Sequence, residues 1–285
     1  MSELDLIRAI RRWSSNDLIG DDCAILAPPR GRQLLVTTDM LVDDVHFSLA
    51  THSAYDCGWK ALARGLSDIA AMGGDPHWCF VSLALTPSTD RKWLTAFYRG
   101  LGALAKGHNV SLAGGDLTRS DRLSADICVI GSTPKGRALT RFGAQADDIL
   151  YVTGTLGAVA ASGYTLRPQP RLDLGIELRR LRATACMDIS DGLALDLHRL
   201  ALASGLSASL DEIPVAPGAS MEQALGGGED YELLFSLPPG KRPPRSAIRI
   251  GSLFGGKPGK IRLHGRPLSV RGWDPFAHID RRHRV

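Results

Sequence analysis

The sequence predicts an α+β protein of two domains, and three observations carry that prediction. Helical and extended patterns are mixed along the chain without the strict alternation of one doubly wound sheet. The 285 residues suffice for two ordinary domains. A stretch at 133–143, with Pro134, Gly136 and the basic residues Lys135, Arg137 and Arg141, separates one pattern from a fresh one. The expected division is an N-terminal α/β domain over 1–135 and a C-terminal α+β domain over 136–285.

The elements follow in order. Residues 1–13 alternate acidic and basic side chains, with Leu4, Ile7 and Ile10 on one side, which reads as a short amphipathic helix rather than a signal peptide. Residues 34–38 form a strand candidate running into a turn at Asp39, and 42–47 a second short extended segment. Residues 56–72 place Trp59, Leu62, Leu66, Ile69 and Ala70 at helical spacing; Gly73-Gly74 and Pro76 end that helix. A strand at 80–86 precedes a helix at 90–106 closed by Gly107. Strands follow at 110–113, running into the Gly114-Gly115-Asp116 turn, and at 124–132. Beyond the division the pattern predicts a strand at 149–153, a small-residue helix after Gly157 and a strand at 183–187. A helix at 191–204, capped by Asp191 and ended by Gly205, and strands at 231–237 and 248–254 complete it.

Composition narrows the function classes. With 44% hydrophobic and 22% charged residues the chain is an ordinary globular protein with a real core. The net charge of +4 lies partly in Arg281-Arg282-His283-Arg284, and no basic block is interleaved with aromatics, so nucleic-acid binding is not expected. No run of about 18 apolar residues is present, so no membrane span is expected. The five cysteines, Cys23, Cys57, Cys79, Cys128 and Cys186, form no Cys-x-x-Cys pair. They read as buried thiols of a cytoplasmic protein rather than a zinc site or disulfide framework.

The chemistry lies in the aspartates, which come in separate clusters beside glycine or hydroxyl residues: Gly20-Asp21-Asp22, Thr37-Thr38-Asp39, Ser67-Asp68, Gly114-Gly115-Asp116, Asp188-Ile189-Ser190-Asp191-Gly192 and Gly227-Gly228-Glu229-Asp230. Two unit charges about 4 Å apart repel by roughly 4 kcal/mol at an effective dielectric of about 20. Carboxylates gathered by a fold therefore need cations, and Mg²⁺, held through carboxylates, waters and phosphate oxygens, is the natural one. Asp68 sits near a helix C-terminus, where the dipole disfavours an acid. A surface pair with Arg64 explains it less well than a metal ligand beside Gly65. Asp191 alone is an ordinary helix cap, but Asp188 three residues earlier is not, and the two bracket Ser190 where a helix N-terminus suits phosphate. Gly20-Asp21-Asp22 and Gly114-Gly115-Asp116 alone read as turns. Gly226-Gly227-Gly228 implies close approach of backbone to a ligand. The run Gly251 to Pro258 imitates a Walker loop, but Pro258 lacks the hydroxyl that such a loop gives to Mg²⁺.

Taken with Leu66-Ser67-Asp68-Ile69-Ala70-Ala71-Met72-Gly73, Gly136-Arg137-Ala138-Leu139-Thr140-Arg141 and Gly227-Gly228-Glu229-Asp230-Tyr231-Glu232-Leu233, these clusters resemble the thiamine-monophosphate kinases of the aminoimidazole-ribotide synthetase-like superfamily. The resemblance runs in unbroken order from about residue 5 to residue 276. It implies the two-domain fold of that superfamily, a homodimer formed by strands of the N-terminal domain, and ATP-dependent phosphorylation of thiamine monophosphate to thiamine diphosphate with several Mg²⁺ ions. Asp22, Thr37, Thr38, Asp39, Asp68, Asp116, Asp188 and Asp191 look like metal ligands, with Asp39, Asp68 and Asp188 at the catalytic core. Gly115, Asp116, Arg141 and Ser190 look like ATP contacts. His46, Glu229 and Trp273 look like thiamine monophosphate contacts. The stretch between Arg171 and Ala183 is shorter than the family pattern, which bears on the helix and lid expected there. A sister enzyme of the superfamily, such as selenophosphate or aminoimidazole ribotide synthetase, and a non-catalytic metal-binding protein are the alternatives. The first of these wants a reactive cysteine in a glycine-rich N-terminal segment, and none precedes Cys23.

Overall fold

The computed structural model describes residues 3–14, 16, 18–19, 23–24 and 26–275. Helix α1 (Glu3–Ser14) leads into strand β1 (Arg32–Val42), helix α2 (Ala54–Ala71), β2 (Asp75–Leu85), α3 (Arg91–Gly107), β3 (Ser111–Arg119) and β4 (Ser124–Pro134). These four strands form one sheet in the order β1-β4-β2-β3. The chain continues through β5 (Ile149–Val152), α4 (Ala158–Ala161), α5 (Leu172–Leu181), β6 (Ala185–Asp188) and α6 (Leu193–Ala203). It ends with β7 (Ser207–Leu210), α7 (Met221–Gly226), β8 (Leu233–Leu237), β9 (Ile248–Phe254), β10 (Ile261–Leu263) and β11 (Arg266–Pro267). The second sheet runs β11-β10-β7-β9-β5-β8-β6. The α+β class holds.

Local chemistry explains the main elements. Ser53 caps α2 by accepting from the Asp56 amide, and Asp90 caps α3 by accepting from the Trp93 amide. The two helices touch where glycine permits it, since a Cβ on Gly58 or Gly100 would lie 1.9 Å from the Phe97 or Tyr55 carbonyl oxygen. Strand alternation buries Leu35, Leu41, Val81, Leu83, Ile127 and Val129 on the face of the first sheet that α2 and α3 cover. The other face leaves Leu34, Val36 and Met40 exposed.

α2 belongs to both halves. Its Leu62, Leu66 and Ile69 share one core with Leu178 of α5 and with Cys186, Leu233 and Phe235 of the second sheet. A separate core packs α6 on that sheet's opposite face through Leu193, Leu197, Leu200, Leu210 and Leu234. Arg179 of α5 donates to the Gly73 carbonyl and approaches Asp75 to 3.5 Å, fastening the short 171–183 stretch to the first sheet as a helix.

Two expected turns are strand interiors instead. β1 runs on through Asp39, which lies opposite Ile127, and β3 runs on through Gly114-Gly115-Asp116. Residues 43–47 form a loop closed by a single bridge between Asp43 and Phe47. Of the cysteines, Cys57, Cys79 and Cys186 are buried and Cys23 is exposed; all five are free. Among the described residues no helix is long and apolar enough to cross a membrane.

Candidate active site

α2 builds the site by lying close over β1. A Cβ on Gly65 would fall 2.6 Å from Val129 Cγ2, so the small residue beside Asp68 serves helix-on-sheet packing. This approach sets Thr37 Oγ1 to donate to Asp68 Oδ2 at 2.5 Å. Arg64 does not pair with Asp68; its Nη2 and Nε donate to Asp39 Oδ1 at 2.7 and 3.2 Å. On the other side Ser67 Oγ donates at 2.7 Å to Asp188 Oδ2, at the end of β6. One turn of helix thus joins carboxylates from both sheets. Burial raises the proton affinity of Asp68, and the Asp188 and Asp39 charges raise it further against the Thr37 hydrogen bond. Burial likewise raises Asp188, opposed by Ser67 and reinforced by Asp196 and Asp39.

The turn after β6 is held differently from what its sequence implies. Asp191 is not the cap of α6: Gly192, at φ 113°, occupies that position without a side-chain bond. Asp196, fully buried one turn into the helix, accepts from the Ser190 and Asp191 amides at 3.1 and 3.0 Å. Arg199 donates to both Asp191 and Asp196, at 2.5 and 2.9 Å. The glycine run meets its own chain here rather than an open space for ligand. A Cβ on Gly228 would fall 2.7 Å from the Ser190 carbonyl oxygen, and one on Gly227 2.5 Å from Ala160 Cβ. The loop that follows places Glu229 and Tyr231 at φ 59° and 51°, an uncommon conformation for side-chain-bearing residues. The Glu229 and Tyr231 amides, donating to the Ser190 and Ile189 carbonyls, fix it.

That loop aims Glu229 at α2. Lys60, buried on the helix, donates to the His46 carbonyl at 2.7 Å and lies 2.6 Å from Glu229 Oε2. This oxygen is shielded from solvent and has no aligned hydrogen bond. His46 Nδ1 accepts from the Val42 amide at 3.1 Å, leaving the other ring nitrogen to carry the proton when the ring is neutral. The Trp273 amide donates to the Asp191 carbonyl, and its ring lies edge-on to His46 with centroids 6.5 Å apart. His46, Glu229 and Trp273, widely separated in sequence, therefore meet. Lys60 escaped the sequence reading, and Arg64 entered it only as a surface partner for Asp68. Their signal was spacing: residues 60, 64 and 68 share one helical face, and two cations on the buried face of an apolar helix need partners.

The other candidates stand apart. Asp22 lies outside the described residues. Thr38 is exposed opposite Cys128 and points away from the Thr37 and Asp39 face. Asp116, on the edge strand β3, is exposed opposite Ser82. Gly115 is a glycine because a Cβ would lie 1.9 Å from the Val81 carbonyl oxygen of the neighbouring strand. Arg141 is exposed on a loop tied to β6 by the Cys186 amide donating to the Thr140 carbonyl. A cavity of about 780 Å³ lined by Arg8, Arg12 and Arg91 contains none of these residues.

Among the described residues no three acidic, histidine or cysteine side chains close on one point. Asp68 and Asp188 are nevertheless held at raised proton affinity by burial and by neighbouring carboxylates, Asp39 among them, as expected of acids short of positive charge. The donor set suits Mg²⁺, which keeps several waters and takes one or two carboxylates together with phosphate oxygens.

Residues 20–133 match the family described as AIR synthase related protein, N-terminal domain. Thiamine-monophosphate kinase of Salmonella typhimurium is 42% identical over 250 residues, 77% of this chain and 76% of the relative. The crystal structure of thiamine-monophosphate kinase from Stenotrophomonas maltophilia K279a superposes with a TM-score of 0.82 at 36% identity, covering 94% of this chain and 98% of that one. The structure of AaThiL complexed with AMPPCP and TMP superposes with a TM-score of 0.81 at 30% identity, covering 96% and 97%.

Proposed function

The chain belongs to the thiamine-monophosphate kinase family, and from that premise we propose that it transfers the γ-phosphoryl group of ATP to the phosphate of thiamine monophosphate, releasing ADP and thiamine diphosphate. One observation carries the reading. The carboxylates Asp39, Asp68 and Asp188, gathered around one turn of α2, adjoin a pocket of different character, His46, Glu229 and Trp273, and Arg64 of α2 reaches from Asp39 toward Glu229.

The residues divide the work. Asp39, Asp68 and Asp188 would hold Mg²⁺, which would supply positive charge against the phosphates of donor and acceptor. Asp22, Thr37, Thr38, Asp116 and Asp191 extend that ligand set as the family pattern implies, and Gly115, Arg141 and Ser190 take the nucleotide. Glu229 offers a carboxylate to the cationic thiazolium, with the His46 and Trp273 rings beside it. Lys60, 2.6 Å from Glu229, offers a buried cation to the acceptor phosphate at the edge of this pocket. An acceptor phosphate monoester has its second pKa near about 6, so its oxygen attacks without a strong general base. Positioning and charge neutralisation then supply nearly all the catalysis.

Transfer is direct and in line, with inversion at phosphorus. The divide near residues 135 and 136 separates a metal and nucleotide domain from one that completes both sites. The exposed Leu34, Val36 and Met40, at 49, 62 and 54% of their full exposure, give the first sheet an apolar outer face for a homodimer. The cytoplasm is the expected compartment. The deciding experiment incubates purified protein with Mg-ATP and thiamine monophosphate and reads the fluorescence of oxidised thiamine diphosphate. ATP turnover without that product would remove the reading, and net retention with chirally labelled γ-phosphate would remove direct transfer.

A further inference from the structure

Arg64 is a strong charge against Asp39 to which neither the family pattern nor the proposed transfer gives a role. Its side chain is 14% exposed. Two of its nitrogens donate to the same oxygen of Asp39, at 2.7 and 3.2 Å, and the third lies 3.8 Å from Glu229 Oε1. A guanidinium stays protonated at any pH the protein meets. Asp39, to which the proposed function gives a divalent cation, is therefore already occupied by a permanent and hydrogen-bonded cation. Both cations cannot hold the same face of one carboxylate, because they repel each other in a pocket poor in water. The departing guanidinium has a receiving carboxylate within reach, namely Glu229.

We propose that Arg64 is the resident counter-ion of Asp39, a positioning residue that a divalent cation displaces toward Glu229, so that metal loading at the carboxylates is coupled to the substrate pocket. The proposal rests on Asp39 being a metal ligand. Arg64 then lowers metal affinity in the empty protein, and metal binding reorganises the partner of the pocket's own acid.

The test titrates Mn²⁺ into full-length protein without nucleotide, following free Mn²⁺ by electron paramagnetic resonance. Arg64→Leu, with the competitor removed, should bind Mn²⁺ at least threefold more tightly than wild type. Arg64→Lys, which keeps the charge, should stay within about twofold of wild type by the same electrostatic reasoning. Glu229→Gln, which removes the receiving charge, should bind at least threefold more weakly. Should Arg64→Leu fail to fold by circular dichroism, Arg64→Gln takes its place, being neutral and still able to donate to Asp39. Unchanged or weaker Mn²⁺ binding in a folded neutral variant overturns the proposal. Asp39→Asn separates this from the underlying reading: if it leaves Mn²⁺ binding unchanged, the metal assignment of Asp39 falls. If it weakens binding while the neutral Arg64 variant gains nothing, only the role of Arg64 falls.

Discussion

Two acidic groups flank the turn after β6, and they differ in what answers their charge. Asp39, Asp68 and Asp188 are answered by a guanidinium and by the hydroxyls of Thr37 and Ser67. Asp191 and Asp196 are closed by Arg199, and two backbone amides complete Asp196. Asp196 is also pushed up, to about 6, by its burial, but the Asp191 amide and the Arg199 guanidinium oppose that shift. The first group keeps unmet demand for positive charge, while the second spends its carboxylates on shaping the chain. The contrast implies that mutation of Asp68 or Asp188 removes activity and spares the fold, and mutation of Asp196 does the reverse.

The largest expected effect tests the open group. Asp39→Asn and Asp68→Asn should each lower kcat at saturating ATP by about 10³-fold, the scale of losing a key electrostatic contact to a transition state. The melting temperature should hold or rise for Asp68→Asn, which removes a like-charge contact, and should fall for Asp39→Asn, which takes the charge that answers the buried Arg64 guanidinium. Activity within about tenfold of wild type in folded protein would take that residue out of the catalytic core.

Next comes the closed group. Asp196→Ala strips two amides of their acceptor and should destabilise the protein by about 3 kcal/mol in urea unfolding. A loss below about 0.5 kcal/mol, the range of an ordinary surface change, would show that the turn is held by other contacts. A third change probes the pocket beside both groups. His46→Ala should raise KM for thiamine monophosphate by about tenfold and leave KM for ATP within about threefold. An equal rise in both constants would contradict the placement of His46.

The same contrast separates what the sequence disclosed from what it hid. Strand β9 matches its expected bounds at 248–254, because an apolar run with turn residues on both sides is decided locally. β1 was expected to stop at Asp39, since a polar run normally ends a strand. It continues because Arg64, distant in sequence, satisfies the inward-facing acid. Gly114-Gly115-Asp116 has turn composition, yet Gly115 answers to the neighbouring strand at Val81. Asp191 has the chemistry of a cap and loses that position to Gly192, while Asp196 inside the first turn accepts from the Ser190 and Asp191 amides. His46, Glu229 and Trp273 were legible only through family resemblance, for nothing in local spacing brings residues 46, 229 and 273 together. Lys60 and Arg64 were legible by helical period alone.

The smallest effect tests whether the open group's unmet demand is real. In the metal-free protein the folded state holds protons on Asp68 and Asp188 more tightly than the unfolded chain does. Their contribution to stability is therefore complete below the ordinary carboxylate range and is lost as pH rises toward neutrality. Asp126, Asp196 and Asp230 act in the same sense, while His77 and His108, held below their usual value, act in the opposite one. Subtracting melting curves with and without Mg²⁺ at each pH cancels groups that the ion does not touch. At ten times its dissociation constant Mg²⁺ should add about 1.4 kcal/mol near neutral pH. That corresponds to a rise in Tm of roughly 2–3 °C for a chain of this length. The increment should shrink as pH falls through the raised carboxylates, since protons then compete for the same oxygens. Asp68→Asn should reduce it at every pH, whereas a conservative change at Asp196 should not. An increment that stays flat with pH, or survives Asp68→Asn unchanged, would place the ion elsewhere and dissolve the distinction between the two acidic groups.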